Sequence, residues 1–135
     1  MIKYFASYIT IAMVMLALDV LWLGFIAKPL YQQGIGHLMA AQPNLIVAAV
    51  FYLVYAAGLM MFVILPLENA NSLIKVVTTA AAFGFFAYAT YDLTNWATLK
   101  EWPASVAIAD LIWGSFASIS ASIAGYYVLR ALQVR

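Results

Sequence analysis

Three aspartates lie inside long apolar stretches of the chain, and their carboxyl groups are the side chains best suited to chemistry. They are Asp19, Asp92 and Asp110. An ionisable residue near the centre of a membrane helix costs at least about 2.5 kcal/mol, so such residues usually serve a function. Carboxyl groups in an apolar layer can exchange protons with a bound molecule, couple transport to a proton, or bind a hard cation such as Mg²⁺ or Ca²⁺.

The charge state of these acids follows from their number. Three carboxylates that share one apolar layer cannot all stay ionised, because loss of hydration and mutual repulsion both favour the neutral acid. We expect one or two to be protonated at neutral pH unless a cation lies among them, and we expect the three to exchange protons as a coupled set. In a catalytic role, Asp92 would be the central acid–base group and Asp19 and Asp110 its partners.

Polar and aromatic side chains recur at helical spacing around the acids. Residues three, four or seven positions apart share one face of a helix, as Tyr88, Asp92 and Asn95 do. The predicted ligand-binding residues are Asn95, Tyr88, Tyr52, Tyr55, Trp22, Trp113 and His37. Asn95 and Tyr88 would orient the acids, and His37 would reach them from a loop. The alternative is a structural role, since interhelical hydrogen bonds contribute about 0.6–2 kcal/mol each.

The composition determines what kind of element carries these residues. Hydrophobic residues make up 67% of the 135 residues and charged residues 8%, whereas soluble domains have about a half and a quarter. Such a chain cannot cover itself with polar surface, so its environment is lipid. The absence of cysteine excludes disulfides and thiolate-bound metals. A net charge of +1 without a basic cluster argues against nucleic acid as a partner.

Four apolar windows are each long enough to cross a bilayer, which takes about 20 residues. They are residues 4–27, 44–67, 73–99 and 104–132. Backbone groups in lipid must be hydrogen-bonded internally, so each window is predicted to be a helix, and the first is too long for a signal peptide. The predicted fold is an all-α, up-down bundle of four transmembrane helices, one domain covering residues 1–135. An interfacial segment, broken at Gly34 and Gly36, would join helices 1 and 2 and cover a site beneath it.

Counting from the predicted helix ends places the three acids at one depth. Asp19 and Asp92 lie about eight residues before the outer ends of helices 1 and 3, and Asp110 about seven after the outer start of helix 4. At 1.5 Å per residue, all three are about 10–13 Å below the outer surface. Tyr52 and Tyr55 of helix 2 have a similar or slightly greater depth. The string D-x-x-W, which begins at Asp19 and again at Asp110, reflects either an inverted repeat or coincidence.

Residues near the helix ends and along helix 4 predict how the bundle sits and packs. Small residues recur every four positions in helix 4 and predict close packing within the chain or in a homodimer. They form two rows: Gly114, Ser118 and Ser122, and Ala117, Ala121 and Gly125. The predicted interfacial aromatic residues are Trp96, Trp102, Tyr126 and Tyr127. The cations on the side of the two termini are Lys3, Lys75, Arg130 and Arg135, and those on the other side are Lys28 and Lys100. This imbalance predicts cytoplasmic termini.

Several cofactor chemistries lack their sequence motifs. The chain has no H-E-x-x-H zinc motif, no glycine-rich nucleotide loop and no G-x-S-x-G. A haem would need a histidine inside the membrane and an iron–sulfur cluster would need cysteines. The cofactor therefore stays unidentified, and a hard cation among the three aspartates is the metal site that the sequence leaves open.

Four strings of the chain resemble a bacterial membrane family known as domain of unknown function 2177. They are LDVLWLG (residues 18–24), FYLVYAAG (51–58), YATYDLTNWATLKEWP (88–103) and ADLIWG (109–114). The resemblance extends over most of the chain and implies a small four-helix inner-membrane protein. It implies no activity, although the same strings contain all three aspartates.

Three functions remain open from the sequence. The first is a membrane-embedded site that binds or acts on a lipid-like molecule, which a lateral opening into lipid would support. The second is a proton- or cation-coupled transporter, for which the apolar inner halves of helices 1 and 2 lack a polar path. The third is a structural subunit in which the polar layer only fixes the helix register.

Overall fold

The computed structural model describes residues 1–133, which form helices joined by short turns and contain no strand. Four helical runs are long and apolar enough to cross a membrane. They are span 1 (Ile2–Ile26), span 2 (Leu45–Leu67), span 3 (Leu73–Thr98) and span 4 (Ala104–Gln133). The prediction of an all-α protein with four membrane helices is confirmed, and each end lies within two residues of its predicted position.

The span boundaries follow from local capping. Asn44 precedes span 2, and its side chain accepts a hydrogen bond from the Val47 N–H at 3.2 Å. Ser72 caps span 3 in the same way, accepting from the Lys75 N–H at 3.4 Å. Both residue types are favoured at this position because their side-chain oxygens satisfy an amide that has no partner within the helix. Pro103 directly precedes span 4 and disfavours helical backbone in the residue before it.

Two of the spans contain a wide, π-helical turn. In span 1 it comprises Trp22–Ile26, where the Ala27 N–H donates to the Trp22 carbonyl at 2.7 Å. In span 2 it comprises Met60–Ile64 and ends just before Pro66. A proline ring clashes with the carbonyl four residues earlier, and a wider turn relieves that clash. Each π turn shifts the helical phase of the residues that follow it.

Span 4 lies at the centre of the bundle, since 44% of its apolar window is buried against 22–28% in the other spans. It packs along both span 1 and span 3. A Cβ atom on Gly84 would lie 2.4 Å from the Gly114 carbonyl oxygen, and one on Gly125 would lie 2.6 Å from the Ile11 side chain. The predicted close packing through the small residues of span 4 is therefore confirmed within the chain.

The segment between spans 1 and 2 begins with the link helix, Lys28–Ile35, which is followed by a 3₁₀ turn, Gly36–Leu38. The expected break at Gly34 is wrong, because the helix continues through it and packs it against Pro103 and Val106. The predicted interfacial position of Trp102 is also wrong. Trp102 is only 7% exposed and lies in an apolar cluster with Tyr31 of the link helix.

Span 2 leaves the bundle open along its first half. All of residues 45–54 are exposed except Ala48 and Tyr52. The span packs against span 1, and its backbone approaches spans 3 and 4 chiefly along Met60–Ile64. The first half of span 2 therefore stands apart from span 3 and leaves a gap between them, which we call the lateral gap.

Candidate functional site

A cavity of about 570 Å³ lies between the spans beneath the link helix. Apolar and aromatic side chains form most of its wall, and Asp19 and Asp110 are its acidic residues. The lining residues are Asp19, Trp22, Leu23, Tyr31, Ile35, Met39, Phe51, Tyr52, Tyr55, Ala87, Tyr88, Tyr91, Asp110 and Trp113. Phe51 of span 2 and Tyr91 of span 3 are exposed, which places the lateral gap at the edge of the cavity.

Asp19 is held by two side chains from other spans. Its Oδ1 accepts from the Trp113 indole N–H at 2.8 Å, and its Oδ2 accepts from the Tyr52 hydroxyl at 2.7 Å. Asp19 is 6% exposed. Because an indole N–H can only donate, Oδ1 is an acceptor in this arrangement. Asp19 thus connects spans 1, 2 and 4 at one point.

Asp110 is held by the link helix. The Tyr31 hydroxyl donates to Asp110 Oδ1 and accepts from the Trp22 indole N–H at 3.1 Å. Burial, followed by the hydrogen bond to Asp110, raises the pKa of Tyr31, so its hydroxyl keeps its proton and remains a donor. The link helix is thereby fastened over the cavity through a hydrogen bond to an acid of span 4.

The two D-x-x-W strings exchange their indole donors. Trp113 of the second string donates directly to Asp19 of the first, and Trp22 of the first reaches Asp110 of the second through Tyr31. The two indole rings stack with centroids 4.5 Å apart and planes 5° from parallel. The two strings therefore form one hydrogen-bonded unit across spans 1 and 4.

Two further tyrosines form the wall deeper in the bundle. The hydroxyls of Tyr55 and Ser118 are 2.7 Å apart and hydrogen-bonded. Tyr88 lies edge-on to Tyr55, with ring centroids 6.0 Å apart, and its ring occupies the space that a side chain on Gly114 would need. The absence of a side chain at Gly114 thus allows Tyr88 to line the cavity.

Asp92 lies outside the cavity wall, beside Asp110. It is 0% exposed, and neither carboxylate oxygen has a hydrogen-bond partner among residues 1–133. Its polar neighbours are Asp110 and the Trp102 indole, whose N–H is also buried without a partner within that range. A buried polar atom without a partner costs about 1–3 kcal/mol.

A comparison of the chain with family profiles decides its family. Residues 4–127 match the family described as "Predicted membrane protein (DUF2177)". The chain belongs to this family. The resemblance drawn from the four strings is therefore confirmed, and the family description names a membrane protein without an activity. No curated protein and no solved structure matches the chain.

In this family member, seven of the ten predicted site residues line one cavity, but Asp92, Asn95 and His37 do not. Asn95 is half-buried on span 3 and is not a lining residue. The His37 Nε2 lies 3.2 Å from Glu101, and the two side chains are 47% and 76% exposed. The 3₁₀ turn places His37 against the link between spans 3 and 4, so the predicted reach to the acids is wrong.

The structure also adds residues that the sequence reasoning did not select. Tyr91 lies three positions after Tyr88, and this helical spacing was a sufficient signal to include it. Tyr31 carried no such signal, because its contact with Asp110 depends on how the link helix folds back over the bundle. Phe51 lies in one of the strings shared with the family, directly before Tyr52.

The arrangement does not bring the three aspartates together as the hard-cation site left open by the sequence would require. Within the described residues, no group of three or more His, Cys, Asp or Glu side chains is placed to hold a metal ion. Asp19 is occupied by Tyr52 and Trp113, and Asp92 lies outside the cavity wall. The chemistry available at the wall is hydrogen bonding from hydroxyl and indole groups, attraction by carboxylates, and proton exchange at Asp110.

Replacing Tyr31 by Phe is expected to loosen the link helix. The change leaves the Trp22 indole and Asp110 without their shared partner, a loss of about 1–3 kcal/mol. Amide hydrogen exchange within Lys28–Ile35 should accelerate about tenfold or more, while exchange in span 4 stays unchanged. Tyr127→Phe is the matched control, because Tyr127 is exposed. Equal exchange in both variants would show that the hydroxyl does not fasten the helix.

Proposed function

We propose that this protein is a four-helix, single-domain protein of the bacterial inner membrane that binds a lipid-like small molecule in the cavity. The observation that carries the proposal is the lateral gap, which joins an acid-containing cavity to the apolar exterior of the spans. The volume of about 570 Å³ is within the usual range of small-molecule sites, about 300–1,000 Å³. A molecule dissolved in the membrane could enter without crossing water.

The walls suit a molecule with one polar end. Asp19 and Asp110 supply the polar contacts, and the tyrosine rings and Phe51 supply apolar surface toward the gap. Few polar groups in an otherwise apolar pocket fix the orientation of a ligand. Within this proposal Asp19 and Asp110 are the acids that contact the ligand, and Asp92 is the neighbouring acid that exchanges a proton with Asp110.

The proposed orientation places both termini in the cytoplasm. Among the described residues, Lys3, Lys75 and Arg130 lie on the side of the termini, and Lys28 and Lys100 lie on the other. Arg135, which completes the predicted imbalance, lies outside the described residues. In this orientation the link helix and the cavity belong to the outer half of the bilayer.

A second candidate, proton-coupled transport, is favoured by a row of buried hydroxyls below the cavity. Ser118 bonds Tyr55, Ser122 lies one helical turn further, and Ser7 donates to the Gly125 carbonyl at 2.8 Å. All three serines are 0% exposed, and the Ser122 hydroxyl has no partner among the described residues. With Ser7 on span 1 and Ser118 and Ser122 on span 4, this row gives the inner half of the bundle buried polar groups.

Filling the cavity tests the binding proposal. Ala87 is a lining residue on span 3, and Ala87→Phe places a ring inside the cavity. We expect wild-type protein purified in neutral detergent to retain a specific lipid-like molecule in native mass spectrometry. Ala87→Phe should retain less than about one tenth of it. The added ring takes up space in the cavity, so the ligand loses contacts with the wall that contribute to its affinity.

Ala82→Phe is the matched control, since Ala82 is exposed on the same span. It adds the same ring on the lipid side and should retain the molecule as wild type does. If wild type, Ala87→Phe and Ala82→Phe all carry the same mixture of bulk lipids, the cavity is not a binding site and the proposal fails.

A further inference from the structure

We propose that the polar end of the bound molecule is an organic cation, an amine or quaternary ammonium group on an apolar chain. This inference rests on the proposed binding function and narrows it to one class of ligand. Two features of the wall carry it: an acid whose charge has no positive partner, and aromatic rings that surround the same space.

The first feature is the charge of the wall. Asp19 and Asp110 are its ionisable acids, and none of the lining residues, all in the described part of the chain, is Lys, Arg or His. The hydrogen-bond donors to Asp19 are the Trp113 indole and the Tyr52 hydroxyl, and both are neutral. They orient the carboxyl group but bring no positive charge to it. A cation in the cavity would supply the missing charge, and burial of a carboxylate is favourable only when it is paired.

The second feature is the aromatic content of the wall. Eight lining residues are aromatic: Trp22, Tyr31, Phe51, Tyr52, Tyr55, Tyr88, Tyr91 and Trp113. The faces of such rings carry negative potential and attract cations, most strongly in tryptophan and most of all where water is excluded. Rings grouped around an acid form the kind of cage that recognises quaternary ammonium groups.

The same features disfavour other head groups. A phosphate, sulfate or carboxylate head would lie beside Asp19 and Asp110 without a cationic side chain to balance it, and like charges in an apolar space repel strongly. A sugar head would need many hydrogen-bond partners, yet Asp19 and the Tyr31 hydroxyl are already occupied. Leu23, Ile35 and Met39 extend the wall with apolar surface, which suits the chain of the amphiphile.

Binding of three short-chain amphiphiles tests the charge of the head group directly. The full-length protein, held in a neutral maltoside detergent, is titrated with octyltrimethylammonium, octyl phosphate or octyl glucoside while tryptophan fluorescence is recorded. Trp22 and Trp113 lie in the cavity wall, so occupancy alters their emission. We expect the ammonium compound to bind about tenfold or more tightly than the other two, given its ion–carboxylate and ion–ring contacts.

Two variants of Asp19 test whether its carboxylate attracts the cationic head group. Asp19→Asn should weaken binding of octyltrimethylammonium about tenfold and leave that of octyl glucoside unchanged. The charge is removed, while the amide oxygen can still accept from the Trp113 indole and the amide NH2 can donate to the Tyr52 hydroxyl. Asp19→Glu keeps the charge and should retain most of the affinity. Glu101→Gln removes an exposed acid outside the cavity and should leave all three affinities unchanged. Should Asp19→Asn fail to fold, the head-group comparison on wild type still decides.

The outcomes separate this inference from the binding proposal. Octyl phosphate or octyl glucoside binding as tightly as the ammonium compound, with binding lost in Ala87→Phe, would overturn the cationic head group and keep the lipid-like site. No saturable binding of any of the three, or binding that Ala87→Phe leaves intact, would overturn both.

Discussion

Gly84→Ala is expected to unfold at a much lower temperature than wild type. A Cβ atom at this position would lie 2.4 Å from the Gly114 carbonyl oxygen and 2.6 Å from the Ser118 hydroxyl. The backbone of span 4 cannot rotate away as a flexible side chain could, so spans 3 and 4 must move apart. Overpacking of this kind costs about 1–3 kcal/mol and more when backbone is involved.

Gly84→Ala should also distort the cavity, because the lining residues Tyr88 and Asp110 lie on the two spans that move apart. Thermal unfolding in detergent, followed by far-ultraviolet circular dichroism, measures the stability, and native mass spectrometry measures the retained ligand. Gly24→Ala is the matched control, since a Cβ atom there has nothing within 4 Å. A Gly84→Ala protein as stable as Gly24→Ala would mean that spans 3 and 4 do not approach as closely as described.

Asp92→Asn is expected to unfold at a higher temperature than wild type. The carboxyl group is fully buried and neither oxygen has a partner among residues 1–133. The amide has nearly the same shape, carries no charge, and can donate an N–H toward Asp110. Relief of an unpaired buried group is worth about 1–3 kcal/mol. A residue that lowers stability in this way is typical of functional sites, where activity and stability conflict.

Glu101→Gln is the control for Asp92→Asn, because an exposed acid paired with a histidine contributes little to stability. Lower stability of Asp92→Asn would instead identify Asp92 as an interhelical hydrogen-bond donor and favour the structural-subunit hypothesis. The same variant separates the two functional candidates in liposomes. A proton-coupled transporter should lose substrate-driven proton movement, whereas a binding protein should show none in either form.

The positions of the spans could be predicted from the sequence because lipid permits few alternatives. A run of about 20 apolar residues has to form a helix, and polar caps such as Asn44 and Ser72 fix its ends. The position of Asp19 beside Trp113 also follows in part from counting residues from the helix ends. In antiparallel helices of known length, residues at the same depth in the bilayer lie beside one another. Such a count does not give the direction in which each side chain points.

Asn95 and Tyr31 illustrate that limit. Asn95 shares a face with Tyr88 and Asp92 by spacing, yet it lies nearer the end of span 3 and is not part of the cavity wall. Tyr31 reaches Asp110 only because the link helix folds back and packs Gly34 against Pro103 and Val106. That contact joins residues 79 positions apart in the chain, and no local pattern of charge or hydrophobicity encodes it.

The stacked indoles of Trp22 and Trp113 give the site an optical property of its own. At 4.5 Å and 5° from parallel, the two rings are close enough for their electronic transitions to couple as an exciton pair. Such a pair is sensitive to small changes in spacing and angle, and both indoles lie in the wall of the cavity. A molecule that enters and separates the rings will therefore alter the near-ultraviolet circular dichroism of the unlabelled protein.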